Sequence, residues 1–373
     1  MRLLRAAPSL LPLLLYLVLP PAAQSTPVEP TYATGFRVEA EGTTRILTIE
    51  RPWPGGAPLR YALIEGGTGE SPDLPEVDGV IETPVRTVVS LSSTYIAHLE
   101  TLDLLDRIVA VDRRSSIYSG RVRRLIDEGK VEEVGVAERL EVETVIDLSP
   151  ELVITPALGR EDVTLRALDR AGVPALVNAD WLETTPLGRA EWVKLFGLLF
   201  GREEEATSRF EEVRRGYQET LDRLADGQRG PKVLVNAPYN GSWALPAGES
   251  YMARLLADAG ADYPWSETPG TGSIFLDLEE VFARAADAEV WVNLGFGWRT
   301  PRDVVSADPR LASFAPYRSG RMYHYNRRVR EDGANDFWES GAARPDRILA
   351  DLGRIFHPDL ISDHEFHYYR PLE

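Results

Sequence analysis

The sequence contains no cysteine among its 373 residues, and it has only three methionines and five histidines. Without cysteine the fold has no disulfide and no Cys-x-x-Cys metal site, and no thiol is present for a cysteine-linked lipid. The sequence also lacks a nucleophile elbow, a phosphate-binding glycine loop and a dinucleotide-binding glycine fingerprint. Since these motifs identify common enzyme classes, we expect a binding protein that is not an enzyme and needs no cofactor.

The sequence has fewer basic than acidic residues: 41 Lys and Arg against 58 Asp and Glu, which gives a net charge of −17. Nucleic acids and anionic membrane surfaces both require a basic surface, so the balance excludes them as expected partners. The hydrophobic fraction of 43% is sufficient for a packed core. At 373 residues, the chain length predicts two domains.

The first residues form a pattern typical of export. Arg2 and Arg5 precede an apolar run from Leu10 to Leu19, and small residues follow as far as Ser25. This order predicts a signal peptide over residues 1–25. No later run is long and apolar enough for membrane insertion. With no lipobox cysteine, we predict a soluble, monomeric protein of the periplasm.

The remaining chain divides by its hydrophobic periodicity. Alternation from Phe36 to Glu50 predicts a hairpin within an N-terminal β extension, residues 26–84. Strands alternate with helices in residues 85–184 and again in 228–373, which predicts parallel βαβ units. Residues 185–227 between them have a helical period. The predicted fold is therefore α/β, with two Rossmann-like lobes joined by a single long helix.

Two stretches of the chain resemble each other. LEVETVIDLSPELVI (140–154) and LDLEEVFARAADAEVWV (276–292) align so that Glu143 pairs with Glu279 and Val145 with Val281. Each stretch predicts a short acidic helix followed by a buried strand. A repeat at this long separation indicates two related lobes, each with one exposed acid.

In open α/β sheets, ligands bind beyond the carboxyl ends of the strands. Aromatic side chains with polar tips, and arginines, follow the predicted strands of both lobes. Such a lining suits a large, flat or chelated ligand with an anionic part. Alternatively, single aromatics pack the lobes, and the arginines form a solvated loop with Glu331 and Asp332. The candidate ligand-binding residues are Ser93, Tyr95, Tyr118, Trp181, Tyr239, Trp243, Trp298, Arg327, Arg328 and Trp338.

Several of these stretches are similar to a known family. RTVVSLSSTYIAHLETLDLLDRIVAV (86–111), followed by residues 140–154, resembles the class III periplasmic substrate-binding proteins of ABC importers, which carry ferric siderophores, haem and cobalamin. The resemblance covers residues 86–356. PLGRAEWVKLFG (186–197) and ANDFWESGAARPD (334–346) are similar to a Bacteroidetes-type iron-complex subgroup.

The resemblance implies a function and a partner. Glu143 and Glu279 match the two surface glutamates by which the family docks onto arginines of a dimeric permease. Trp338 matches an aromatic–acidic loop of the cobalamin binders. The implied function is delivery of an iron complex to an ABC permease, with a ferric siderophore preferred to cobalamin or haem as the ligand.

Two rival functions remain open. One is a chelatase-like enzyme on the same superfold, which would need a catalytic histidine facing the cleft; His98 and His324 are the interior candidates. The other is a protein that binds divalent metal ions directly through His357, His364 and His367 of the C-terminal tail.

Overall fold

The computed structural model describes residues 30–41, 44–66, 76–136, 139–225 and 230–373. The predicted signal peptide, residues 1–25, lies outside the described residues. One contiguous apolar core extends from the N-terminal sheet through both lobes and the helices that connect them. The lobes are therefore packed against each other and are not held together by a linker alone.

The N-terminal extension contains a four-stranded sheet, which includes the predicted hairpin. Its order is β1-β2-β3-β4, with the first two pairings antiparallel and the last parallel. Tyr61 of this sheet is buried, and its hydroxyl accepts the backbone N–H of Val177 in the first lobe at 3.2 Å. The extension thus packs on the first lobe. Its strands are β1 (Phe36–Glu41), β2 (Thr44–Ile49), β3 (Leu59–Glu65) and β4 (Gly79–Thr83).

Two buried carboxylates hold the start of the extension. Glu191 accepts hydrogen bonds from the backbone N–H groups of residues 31–33, and Lys194 donates to it at 2.6 Å. Glu183 accepts the backbone N–H groups of residues 34 and 35, and the indole N–H of Trp192. Since both glutamates are buried, these bonds are shielded from water.

The first lobe is a five-stranded parallel sheet in the order β7-β6-β5-β8-β9. Both neighbours of β5 follow it in the chain, so the chain order reverses there. The crevice at such a point is where this sheet type binds ligands. Its strands are β5 (Val88–Ser90), β6 (Ile108–Val111), β7 (Glu132–Glu133), β8 (Leu152–Thr155) and β9 (Ala175–Val177); its helices are α1 (Ser93–Thr101), α2 (Gly120–Asp127), α3 (Val142–Leu148) and α4 (Val163–Ala171).

The helical connector is three helices and not one continuous helix. They are α5 (Pro186–Ala190), α6 (Val193–Phe200) and α7 (Glu203–Ala225). Gly201 ends α6 in the left-handed conformation, with φ 67°, which a residue without Cβ adopts at little cost. The 23-residue α7 then packs its apolar face against the C-terminal helix α13 (Pro345–Phe356).

The second lobe has a sheet in the order β10-β14-β15-β16, parallel except for the last pairing. A second, antiparallel sheet, which the sequence analysis did not predict, has the order β11-β12-β13. The strands are β10 (Val233–Val235), β11 (Pro238–Tyr239), β12 (Ser242–Pro246), β13 (Ser273–Leu276), β14 (Val290–Val292), β15 (Met322–His324) and β16 (Arg370–Pro371). The remaining helices are α8 (Tyr251–Asp258), α9 (Leu278–Ala285), α10 (Pro301–Ala307), α11 (Ala315–Ser319) and α12 (Asp336–Ala343).

Candidate functional site

The first lobe presents a small pocket of 220 Å³ at the carboxyl ends of its strands. Trp181 and Leu158 at its rim are exposed. Tyr95 lies at its base, fully buried, and donates its hydroxyl proton to the carbonyl oxygen of Asn178 at 3.0 Å. The lining residues are Ser92, Thr94, Tyr95, Pro156, Leu158, Asp180, Trp181 and Arg189.

A buried ion pair forms part of this pocket. Arg189 donates to Asp180 at 3.2 Å, and both side chains are largely shielded from water. Burial opposes the charge of Arg189, but the Asp180 carboxylate holds the pKa of the guanidinium above its usual range. The guanidinium also lies 5.6 Å from the ring of Tyr251, on α8 of the second lobe. Because Arg189 lies on α5, this cation–π contact joins the connector to the second lobe.

The second lobe contributes exposed aromatics at the ends of its own strands. Tyr239 is 80% exposed and Phe296 is 84% exposed. Trp338 on α12 is half exposed and packs edge-on against Tyr325, with 5.4 Å between ring centroids. Several large exposed aromatics near the same strand ends are typical of a surface that binds another molecule. These side chains are available to a ligand.

Arginines and one tyrosine lie where the lobes meet. The ring of Tyr118, in the first lobe, has the guanidinium of Arg328 at 5.2 Å and that of Arg330 at 4.9 Å from its centroid. Arg330 also donates to the Tyr118 carbonyl oxygen at 2.6 Å, and Arg328 donates to Asp336 at 2.5 Å. The sequence left two interpretations of these arginines open, a binding site for an anionic ligand and a solvated loop. Neither describes Arg328 and Arg330 fully, because both contact Tyr118 and so connect the second lobe to the first.

A cationic pocket of 590 Å³ adjoins this contact. Arg123 is buried and forms an ion pair with Asp332, which also lies 3.8 Å from Arg114. Three arginines thus line a pocket in a protein of strongly negative net charge. Its lining residues are Arg114, Tyr118, Arg123, Val329, Arg330, Glu331 and Asp332.

Glu339 on α12 is a buried acid at the same junction. Its carboxylate accepts the backbone N–H groups of Tyr118 at 2.6 Å and Ser119 at 2.8 Å. Burial raises the pKa of Glu339 to about 8, against the two donors, and the nearby Asp336 and Glu100 add to the rise. The junction therefore contains a group that titrates near neutral pH.

The ten predicted ligand-binding residues divide into three groups. Trp181, Tyr239, Arg327 and Trp338 are exposed, and Ser93, Tyr118, Trp298 and Arg328 are half-buried. The prediction for Trp243 is wrong: it is 0% exposed, its indole N–H donates to the Val235 carbonyl, and it packs against Trp291 and Phe314. Tyr95 is buried too, and it reaches the cleft only as the base of the small pocket.

Sequence reasoning missed four contributors to this region. Glu339 lies on α12, in a stretch predicted as a loop, and Arg123 lies on α2, for which nothing was predicted. Arg189 of the connector meets Tyr251 of the second lobe only through tertiary packing. One local signal for α12 was present: Asn335 followed by an acidic first turn, an N-cap pattern. No local signal indicated which residues Glu339 would contact.

The histidines do not support either rival function. His98 and His324 are buried, and burial lowers the pKa of each to about 4, so neither faces the cleft. In the C-terminal tail, His364 pairs with Asp351 at 2.6 Å, while His367 lies 3.2 Å from Arg347. Within the described residues, no group of three or more acidic or histidine side chains could hold a metal ion.

The two glutamates of the internal repeat are both exposed. Glu143 lies in the first turn of α3, and Glu279 in the first turn of α9. Glu279 pairs with Arg310 at 2.8 Å, whereas no partner for Glu143 is found in the part of the chain that the structure describes. Because α3 and α9 lead into the parallel strands β8 and β14, both glutamates lie toward the carboxyl ends of the sheets, which is the end that carries the cleft.

Two α/β lobes with a cleft at their strand ends define a two-lobed substrate-binding protein. The family model described as "Periplasmic binding protein" matches residues 88–329, and the chain belongs to that family. Members are the substrate-binding partners of ABC transporters and are not classed as enzymes. Among the helices of the described residues, none has the length and apolar character required to cross a bilayer.

Two curated relatives come from Methanocaldococcus jannaschii, and both are named uncharacterized lipoproteins. One is 26% identical over 78% of this chain and 69% of its own length; the other is 24% identical over 83% and 79%. These names overturn the prediction of a freely soluble periplasmic protein without a lipid anchor. That prediction is wrong.

Solved structures confirm the two-lobed α/β fold. CeuE of Helicobacter pylori, crystallised with Ni(II), superposes with a TM-score of 0.57 at 17% identity, over 76% of this chain and 88% of CeuE. IsdE of Staphylococcus aureus, complexed with heme, has a TM-score of 0.53 at 18% identity, over 73% and 98%. At such low identity the likeness establishes the fold alone.

Proposed function

We propose that this protein binds an iron complex in the cleft between its lobes and delivers it to an ABC permease. A ferric siderophore is the leading ligand, ahead of cobalamin and haem, as expected for the iron-complex subgroup that its motifs resemble. The observation that carries the proposal is the set of exposed aromatic residues at the strand ends of both lobes: Trp181, Tyr239, Phe296 and Trp338.

The lining has the chemistry for such a ligand. Aromatic faces stack on flat or aromatic ligand parts and bury a large apolar area in doing so. The cationic pocket at the junction of the lobes is lined by Arg114, Arg123 and Arg330, whose guanidinium groups an anionic ligand would share with Asp127, Asp332 and the Tyr118 carbonyl oxygen. Since guanidinium forks bind carboxylates and phenolate-type oxygens well, this pocket favours an anionic chelate over a neutral one.

The ligands of related folds support the same class. CeuE was crystallised with Ni(II) and IsdE with heme, so this fold accommodates both a metal ion and a metal macrocycle. In this chain His364 pairs with Asp351 and His367 lies beside Arg347, and within the described residues no group of three acidic or histidine side chains could hold a metal ion. A chelate is therefore the better candidate than a bare ion.

We further propose that Glu143 and Glu279 dock the protein onto cationic residues of a dimeric permease. Both are exposed and lie at the cleft end of the lobes. Two acids on a rigid body form a two-point contact, which fixes orientation and accelerates association electrostatically. A permease docked there would meet the open side of the cleft.

A thermal-shift panel tests the ligand. The purified protein is mixed with a ferric catecholate siderophore, a ferric hydroxamate siderophore, cobalamin, haem, and free Ni²⁺ or Zn²⁺. We expect a concentration-dependent rise in Tm with a chelate. Stabilisation by the free divalent ions alone would contradict the proposal.

Charge reversal tests the docking. The double variant Glu143→Arg with Glu279→Arg should abolish uptake while ligand affinity stays unchanged, because neither residue lines the cleft. Glu204→Arg, an exposed change on α7, serves as the control. Uptake at the normal rate by the double variant would refute the assignment.

A further inference from the structure

The docking glutamates each have an apolar neighbour that remains exposed. Ile146 is 45% exposed and Phe282 is 40% exposed. Each follows its glutamate by three residues on the same short helix, so the acid and the apolar side chain share one helix face. In the internal repeat Glu143 aligns with Glu279, and therefore Ile146 aligns with Phe282.

Packing within each lobe does not explain these two residues. The preceding position is Val145 in α3 and Val281 in α9, and both valines are fully buried. They supply the contact of each helix with its own lobe. Ile146 and Phe282 come one residue later on each helix and remain partly exposed. One such side chain is unremarkable, but a matched pair on two lobes is unexpected.

The second lobe has a formed pocket at this position. A depression of 300 Å³ is lined by Leu278, Glu279, Phe282, Ala283, Arg310 and Ser313. Phe282 is held edge-on against Phe314, with 5.2 Å between ring centroids. The aromatic ring is thus fixed in place beside the carboxylate before any partner arrives, which lowers the entropy cost of binding.

We propose that Ile146 and Phe282 are apolar anchors of the docking face, which consists of Glu143 and Ile146 on α3 and Glu279 and Phe282 on α9. The inference rests on the proposed function. Its occupant is the permease dimer, which would present a cationic and an apolar side chain at two equivalent positions. Exposed charges steer a partner, whereas desolvated apolar residues supply most of the affinity.

Serine substitutions test the anchors. Binding of the cognate permease–ATPase complex, in lipid nanodiscs, is measured for Ile146→Ser, Phe282→Ser and the double variant. Losing one half-buried apolar contact should weaken binding about tenfold, and losing both about a hundredfold. Phe282→Leu keeps an apolar side chain and should retain affinity within about threefold.

The matched control is Val80→Ser, which removes a side chain of similar exposure, 41%, from the N-terminal sheet. It should leave permease binding unchanged, and all variants should remain folded at the assay temperature with normal chelate affinity. One outcome is that the serine variants bind the permease like the native protein while Glu143→Arg with Glu279→Arg does not. That result would refute the role of Ile146 and Phe282 but leave the proposed docking through the glutamates in place. If neither set has an effect, both fail.

A second copy of this chain is the alternative occupant. Sedimentation of the native protein and the double serine variant tests for it. We expect both to be monomers. A native dimer that dissociates in the double variant would overturn the permease assignment and make the same face a self-association surface.

Discussion

The carboxylate of Glu339, on α12, accepts the backbone N–H of Tyr118 in the first lobe at 2.6 Å. The ring of the same tyrosine contacts the guanidinium groups of both Arg328 and Arg330. One short segment of the first lobe is therefore held by three side chains that follow β15. Because this segment borders the cationic pocket, the titration state of Glu339 bears on the geometry of the cleft.

Stability should fall with rising pH through the titration of Glu339. Its pKa is raised from 4.5 to about 8, so between these values the folded protein keeps a proton that the unfolded chain releases. The stabilisation is complete below pH 4.5 and is lost as pH rises through about 8, with a slope of at most about 1.4 kcal/mol per pH unit.

Glu339→Gln removes this titration and tests the prediction. In urea unfolding from pH 5 to pH 9, the free energy of unfolding of the native protein should fall relative to that of the variant as pH rises. The difference between the two should become constant above about pH 8 to 9. Glu204→Gln, an exposed change on α7, should follow the native profile. Parallel profiles for native protein and Glu339→Gln would mean that Glu339 is not the titrating group.

The parallel sheets were predictable because their strands are short apolar runs between polar turns. Two such runs, IVAV (108–111) and LVIT (152–155), form β6 and β8. The antiparallel sheet was missed although Asn240-Gly241, both with positive φ, is the residue pair typical of a two-residue hairpin turn. Its first strand, β11, has only two residues and begins at Pro238. Short, proline-containing strands have little periodicity to detect.

Site residues were predictable where their position after a strand determines their exposure. They were not predictable where packing between residues distant in the sequence determines it. Trp181 and Tyr239 follow strands and are exposed, as the strand-end rule implies. Trp243 instead lies within β12 and faces inward against Trp291 and Phe314. The contact of Glu339 with Tyr118 joins residues of different lobes, which no local pattern encodes.

Alanine substitution should lower ligand affinity at the exposed tryptophans and protein stability at a buried one. Trp181→Ala and Trp338→Ala should each weaken chelate binding about tenfold, because each removes a stacking surface from the cleft. Trp243→Ala should lower the free energy of unfolding by about 3–5 kcal/mol by leaving a cavity, with affinity unchanged in the folded fraction.

Isothermal titration with the chelate from the panel, together with urea unfolding, separates the two effects. Phe282→Ala, an exposed aromatic change on the docking face, is the control for ligand affinity. Normal chelate affinity in both Trp181→Ala and Trp338→Ala would contradict the aromatic cleft.

Removing Arg310 should speed docking. Its guanidinium pairs with Glu279 at 2.8 Å and with Asp308 at 2.7 Å, and all three groups meet solvent. Arg310→Ala releases the Glu279 carboxylate for a cationic partner, so association with the permease should rise about threefold at low salt and the gain should fade at high salt.

Stopped-flow association at two ionic strengths measures this effect, and Tm should not change because exposed ion pairs contribute little. In a Glu279→Gln background, Arg310→Ala should have no effect. Slower association of Arg310→Ala in the native background would mean that Arg310 itself contacts the partner.

Loss of Glu191 should release the start of the N-terminal extension. The carboxylate is fully buried and accepts the N–H groups of Tyr32 at 2.6 Å and Ala33 at 2.8 Å, while Lys194 donates to it at 2.6 Å. Glu191→Ala leaves these donors, including a buried ammonium group, without an acceptor, at a cost of about 3–5 kcal/mol.

Limited proteolysis of the ligand-free protein should then cleave first near residues 30–35, whereas Glu204→Ala should be cleaved like the native chain. Chelate affinity should stay normal, since Trp181, Tyr239 and Trp338 belong to other elements. A fall in affinity together with cleavage would instead make the extension part of the binding site. An unchanged cleavage pattern would mean that contacts such as that of Tyr61 with Val177 hold the extension without Glu191.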